Sequence, residues 1–208
     1  MDDEIPDRLP GGPPDLPEGT VAWRTLLAEA ERRLADAGVE MAAGDARRIV
    51  EEPSGHEGAE LVLGLDEPAT ERGVAAFDHM VERRAAGEPL QYVLGGWAFR
   101  SLDLFVDRRV LIPRPETESV VERALVVIDE LATRRPSAPV TVVDLGTGSG
   151  AIALSIAFER AGTTVWATDR SPEALAVARA NLAGIGRAGT RVQPVSYTHL
   201  TLPTILRV

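Results

Sequence analysis

The sequence predicts an α/β fold: the first three strands of a parallel, Rossmann-like sheet, preceded by a small all-α N-terminal domain and a β-hairpin. Three observations carry this reading. Apolar residues recur at helical spacing within residues 20–86, alternate at strand spacing near residues 97–106, and follow a strand–helix–strand order from Val140 to Asp169. No segment repeats another.

Residues 1–19 are acidic and contain Pro10-Gly11-Gly12-Pro13-Pro14, so they are expected to be disordered. A helix follows from about Val21 to Ala37, with Trp23, Leu26, Leu27, Ala30 and Leu34 on one face. Gly38 sits where a left-handed cap belongs. Asp45 reads as the cap of a second helix carrying Ile49 and Val50. Glu57 to Leu65 reads as a short third helix, and Thr70 to Arg84 as a fourth with Val74, Phe77 and Val81 inward. Together these form a helical domain over residues 20–86, too small to be very stable alone.

Between Leu90 and Val106 the period changes to two. Trp97 and Phe99 alternate, as do Leu102, Leu104 and Val106, with Arg100-Ser101 as the turn, so residues 87–109 read as a β-hairpin connector between the domains. The segment L-I-P-R-P-E-T-E then blocks helix until Pro115, and Glu116 and Glu118 suit a helix N-terminus. That helix carries Val120, Val121, Ala124, Leu125, Ile128 and Leu131, and Arg135 to Pro139 links it to a strand at Val140–Asp144. A second strand spans Thr163 to Thr168 and ends in Asp169. Ser171-Pro172-Glu173 opens a helix with Leu175, Ala178 and Leu182 on one face, and a third strand begins at Arg191. The partial sheet domain is thus residues 110–195.

Bulk composition excludes several functions. The 208 residues carry a formal net charge of −10, which argues against direct binding to nucleic acid. Every basic residue is arginine. With no cysteine there is no disulfide, thiolate nucleophile or Cys-bound zinc, and His56, His79 and His199 have no ligand spacing, so no metal is expected. An apolar run long enough to span a membrane is absent and the N-terminus is unlike a signal peptide, so the chain is expected to be cytoplasmic, with no membrane partner.

The chemistry concentrates at V-T-V-V-D-L-G-T-G-S-G, residues 140–150. Gly146, Gly148 and Gly150 permit strained dihedrals and let a ligand approach the backbone, and the first N–H groups of the following helix face the turn. Asp169, at the tip of the second strand, is placed to accept hydrogen bonds from both hydroxyls of a ribose. Gly146, Gly148 and Ala151 also satisfy the dinucleotide pattern G-x-G-x-x-G/A, so NAD stays open on the glycines alone. Asp144 tips the balance, because a carboxylate so close repels a pyrophosphate and attracts the cationic methionine end of S-adenosylmethionine.

Four segments resemble one known family. G-E-P-L-Q-Y-V-L-G-G-W-A-F at 87–99, V-L-I-P-R-P-E-T-E at 110–118, D-L-G-T-G-S-G-A-I-A-L at 144–154 and T-D-R-S-P-E-A-L-A-V-A-R-A-N at 168–181 are similar to the bacterial release factor glutamine methyltransferases, the HemK/PrmC family. D-L-G-T-G-S-G also looks like the first motif of class I S-adenosylmethionine-dependent methyltransferases. The resemblance implies that Gly146, Thr147, Gly148, Ser149 and Gly150 wrap S-adenosyl-L-methionine and that Asp169 holds its ribose. It implies that Asp144 acts near the methionine ammonium through water and that I-P-R-P-E-T-E packs beside the cofactor. It further implies a helical substrate-recognition domain, a peptide chain release factor as partner, its Gly-Gly-Gln glutamine as methyl acceptor, and a monomer in the complete form.

The family grips the acceptor amide with N-P-P-Y, aiming a weakly nucleophilic nitrogen at the methyl group. Such orientation is worth ~7–11 kcal/mol. N-P-P-Y occurs nowhere in the 208 residues, so no catalytic residue is assigned. Residues 196–208 contain no Ala, Gly, Asp or Glu and are expected to be an aberrant, foreign tail on a C-terminally truncated chain. Without a fourth strand beside Val140–Asp144 the product is expected to expose an apolar edge, to be poorly soluble and to be inactive. Alternatives of other kinds are methylation of a ribosomal-protein glutamine or a nucleic-acid amine, a non-catalytic fragment that binds a release factor, and NAD-dependent oxidoreduction.

Overall fold

A computed structural model of the chain describes residues 19–197. The expected disorder of residues 1–18 and the expected foreign character of residues 198–208 lie outside the described residues. The chain divides into two compact units between Leu94 and Gly95.

The first unit is helical: α1 (Trp23–Asp36), α2 (Ala42–Ser54), α3 (Ala59–Gly64), α4 (Glu71–Ala85) and α5 (Leu90–Leu94). Trp23, Leu26, Ala30 and Leu34 of α1 are buried with Ile49 and Val50 of α2 and Phe77 and Val81 of α4. Truncating a fully buried aromatic such as Phe77 costs about 3–5 kcal/mol. Leu27 and Val74 are only partly buried against this core. Thr70 caps α4, its side chain accepting from the Gly73 N–H at 3.0 Å.

Two expectations are corrected here. Asp45 does not cap α2: it lies inside the helix, buried, and accepts from Arg84 Nε of α4 at 2.6 Å. The Arg84 guanidinium gives this carboxylate a charged partner on a neighbouring helix. The period-two reading also fails at Leu90–Leu94, which is a short helix. Its backbone carbonyls at Tyr92 and Val93 accept from the Arg83 guanidinium at 2.8 and 3.2 Å, which satisfies the orphan acceptors of a helix end.

The second unit begins with the hairpin β1 (Gly96–Phe99) and β2 (Leu102–Phe105), followed by α6 (Thr117–Arg134), β3 (Val140–Leu145), α7 (Ala151–Glu159), β4 (Thr163–Asp169), α8 (Pro172–Gly184), a 3-10 helix (Gly186–Arg191) and β5 (Val192–Ser196). The hairpin turns at Arg100, whose φ of 52° lies in the left-handed region that disfavours non-glycine residues. Two sets of contacts hold it there. The Arg100 guanidinium makes a bidentate pair with Glu159 at 2.6 and 2.9 Å, and its backbone N–H donates to Glu118 Oε1 at 3.1 Å. The turn is thereby fixed to both α6 and α7.

Strands β3, β4 and β5 form a parallel sheet in that order, with α7 and α8 as the crossovers of a Rossmann-like α/β domain. β5 runs through Ser196, which pairs with Asp169, so the expected tail boundary at 196 falls inside a strand. On one sheet face Val165 and Ala167 are buried. On the other, Val143 is 53% exposed, its register partner Trp166 37% and Leu145 56%. Parallel sheets ordinarily bury both faces. The outer edge of β3 pairs with no strand among the described residues. In helix α6, Val121, Leu125 and Ile128 are buried, whereas Val120, Val126, Val127 and Leu131 are exposed.

An open edge beside an open apolar face drives association between copies. The 208-residue chain is expected to self-associate in sedimentation velocity runs, and Val143→Lys to shift the distribution toward monomer. A parent that sediments as a single monomeric species would contradict this reading of the surface.

Candidate functional site

The turn between β3 and α7 is built by glycine. Gly146, Gly148 and Gly150 have φ values of 75°, 55° and 87°, which side-chain-bearing residues rarely adopt. A Cβ at Gly146 or Gly148 would meet no atom within 4 Å, so these two face open space. Gly150 serves packing instead: a Cβ there would lie 2.9 Å from Leu154 Cδ1 and 3.6 Å from Ala178 Cβ.

Backbone bonds hold the loop. Gly146 and Thr147 both donate to the Thr168 carbonyl at 2.8 Å, and Gly150 donates to the Thr147 carbonyl at 2.8 Å. The Gly148 N–H donates to Asp169 Oδ2 at 2.9 Å. The expectation of free helix N–H groups stands for Ser149, Ala151 and Ile152, which line the cavity and donate to no group among the described residues, and is narrowed for the rest of the turn. Most loop donors are already used, and the Ala153 N–H goes to the Asp144 carboxylate.

The two aspartates stand behind the loop. Asp169 accepts from Gly148 N–H through Oδ2 and from Ser171 N–H through Oδ1 at 2.9 Å each. A carboxylate has about four lone-pair sites, so acceptor capacity for hydroxyls remains. Asp144 accepts from the Thr147 hydroxyl at 2.7 Å. Burial pushes the Asp144 carboxyl above its ordinary value, with the charge of Asp169 adding to the rise, while the bonds from Thr147 and Ala153 oppose it.

In front of the loop lies a cavity of about 190 Å³. One wall is Leu111, Ile112, Pro113, Arg114 and Thr117, and the other is Gly146 to Ser149 with Ala151 and Ile152. The proline-rich segment and the glycine loop, distant in sequence, thus face each other. The volume is below the ~300–1,000 Å³ of pockets that enclose a drug-sized ligand, so it accommodates part of a nucleoside.

Of the residues expected to bind the cofactor, Gly146, Thr147, Gly148 and Ser149 line the cavity; Gly150 and Asp169 support it from behind. Sequence reasoning missed Asn181. This buried amide on α8 receives the Phe105 N–H at 2.7 Å and donates to the carbonyls of Phe105 and Ser149 at 3.0 and 2.8 Å. One signal was present: Asn181 continues the apolar face of Ala174, Leu175 and Ala178 at helical spacing, where a polar residue needs partners. Among the described residues no helix is long and apolar enough to cross a membrane, and no cluster of His, Cys, Asp or Glu could hold a metal ion.

Two family descriptions match the chain: the PrmC N-terminal domain over residues 25–95 and the methyltransferase small domain over residues 124–198. The release factor glutamine methyltransferase of Moorella thermoacetica is 42% identical over 165 residues, covering 79% of this chain and 56% of that protein. Those of Burkholderia pseudomallei and Escherichia coli are 45% and 40% identical, each covering 66% of this chain and 46% and 47% of theirs. The chain belongs to the HemK/PrmC family of release factor glutamine methyltransferases. It spans about half the length of these relatives.

For this HemK/PrmC chain the sign of the Asp144 effect is testable. A carboxyl whose folded value is raised disfavours the fold as pH rises through that value, and the penalty vanishes below the unfolded value near ~3.9. Thr147→Val removes the opposing hydroxyl. The Asp144 carboxyl carbon, followed by NMR, is expected to titrate at higher pH in T147V than in the parent, with a larger loss of stability on raising the pH. An unchanged or lowered midpoint would refute the assigned balance.

Proposed function

We propose that this chain carries the cofactor-binding and substrate-recognition functions of a protein-glutamine N5-methyltransferase. S-adenosyl-L-methionine is the methyl donor in this reading. A release factor, through the glutamine of its Gly-Gly-Gln loop, is the acceptor, and the helical unit is the part that recognises it. The observation that carries the reading is the facing of the open Gly146 and Gly148 positions toward the I-P-R-P wall.

The residues fit such a group. The two glycines leave room for a ligand against the backbone, and Asp169 retains acceptor capacity toward ribose hydroxyls. The bound group supplies an electrophilic methyl on a sulfonium. The chain's part is to hold that group in one orientation between Leu111–Arg114 and Gly146–Ser149, and to present the negative charge of Asp144 and Asp169 behind it. A cationic ligand is favoured over a polyanion by that charge. The N-P-P-Y residues that the family uses to aim the acceptor amide are not in the 208 residues, so binding and transfer are expected to separate here.

Titration with labelled S-adenosylmethionine is expected to show saturable binding that S-adenosylhomocysteine displaces and NAD does not. Methyl transfer to a purified release factor is expected to stay at background. Displacement by NAD would overturn the cofactor assignment, and turnover above background would overturn the role given to the absent motif.

A further inference from the structure

We infer that Asn181 is the positioning residue that sets the separation of the two cavity walls, and so the affinity of the site for its nucleoside ligand. The inference rests on the reading of this cavity as the S-adenosylmethionine site. Asn181 is 5% exposed and does not line the cavity; it bonds the backbone of Ser149 in one wall and of Phe105, which precedes the other.

The amide has two donor hydrogens and one carbonyl oxygen, and all three are spent on joining two distant segments. Nδ2 donates to the Ser149 carbonyl at 2.8 Å, at the downstream end of the glycine loop. The same nitrogen donates to the Phe105 carbonyl at 3.0 Å, and Oδ1 accepts the Phe105 N–H at 2.7 Å. Phe105 ends β2 and leads into the opposite wall. The intervening chain is held as a tight turn, with the Val110 N–H donating to the Asp107 carbonyl at 3.0 Å and the Arg109 backbone and side chain both bonded to the Asp107 carboxylate. The Arg109 guanidinium also lies 5.9 Å from the centroid of the Phe105 ring. These contacts link Phe105 to Val110, the residue that enters the wall at Leu111. At its turn the hairpin is fixed by Arg100, and at the end that leads into the proline-rich wall Asn181 ties it to the glycine loop.

Buried polar groups that lose a partner are costly, so the walls have a strong preference for the spacing at which all three bonds form. A side chain that removes them frees the walls to drift apart, and the cost of ordering them again on binding weakens the site.

Equilibrium dialysis of labelled S-adenosylmethionine against the full chain, the N181A variant and the N181D variant tests this. N181D keeps an acceptor for the Phe105 N–H and the side-chain volume but deletes both donors, so it serves if N181A does not fold. The expected result is a Kd raised at least about tenfold with the number of sites per folded chain unchanged. A purely structural role would give the opposite split, fewer competent sites at an unchanged Kd, and that result in either folded variant would overturn the inference. If the parent chain binds no S-adenosylmethionine, the cofactor reading itself fails and the inference falls with it.

Discussion

One hydrogen bond organises the second unit: the Gly148 N–H donating to the carboxylate of Asp169 at 2.9 Å. It joins the first strand's turn to the tip of the second and holds Gly148 in a left-handed conformation that no other partner in the loop secures. With Gly146 and Thr147 both donating to the Thr168 carbonyl, the end of β4 acts as the template on which the loop is cast. The cavity follows from that shape, because only a loop turned through three positive-φ residues presents its open side to the I-P-R-P segment. The charge distribution follows as well. Both aspartates are hydrogen-bonded to the loop, so the negative charge is fixed beside it.

The charge beside the loop distinguishes two nucleotide-binding strategies that share a glycine pattern. A dinucleotide site offers free backbone N–H groups to a pyrophosphate. Here Gly146, Thr147, Gly148 and Gly150 donate within the protein and Ala153 donates to Asp144, which leaves the N–H groups of Ser149, Ala151 and Ile152 toward the cavity. What remains is a sterically open, acidic-backed groove, which suits a cation-bearing nucleoside. The acidic charge beside the loop is what favours that ligand class.

Much of this was legible in the sequence, because local rules suffice where local interactions decide. Periodicity located α1, α4 and α8, and the β-branched runs located β3 and β4. The glycine turn announced its own backbone. The reading failed where a partner distant in sequence set the outcome. Asp45 was taken by Arg84 of another helix, Leu90–Leu94 became helical with Arg83 at its carbonyl end, and the polar position Asn181 drew its meaning from Phe105 and Ser149. The outward Val120 and Leu131 on α6 and the exposed Val143 and Trp166 on the sheet are a different case. Their pattern is that of elements buried on two sides, and among the described residues only one side is covered.

The central claim is that Asp169 shapes and serves the ligand site through the loop it holds. It is tested most directly by calorimetric titration of S-adenosylmethionine into the Asp169→Ala variant, with circular dichroism confirming that the variant is folded. The account predicts an affinity at least about tenfold below that of the parent, since a bond to a carboxylate is worth about 1.5–3 kcal/mol. An affinity equal to the parent's would contradict it.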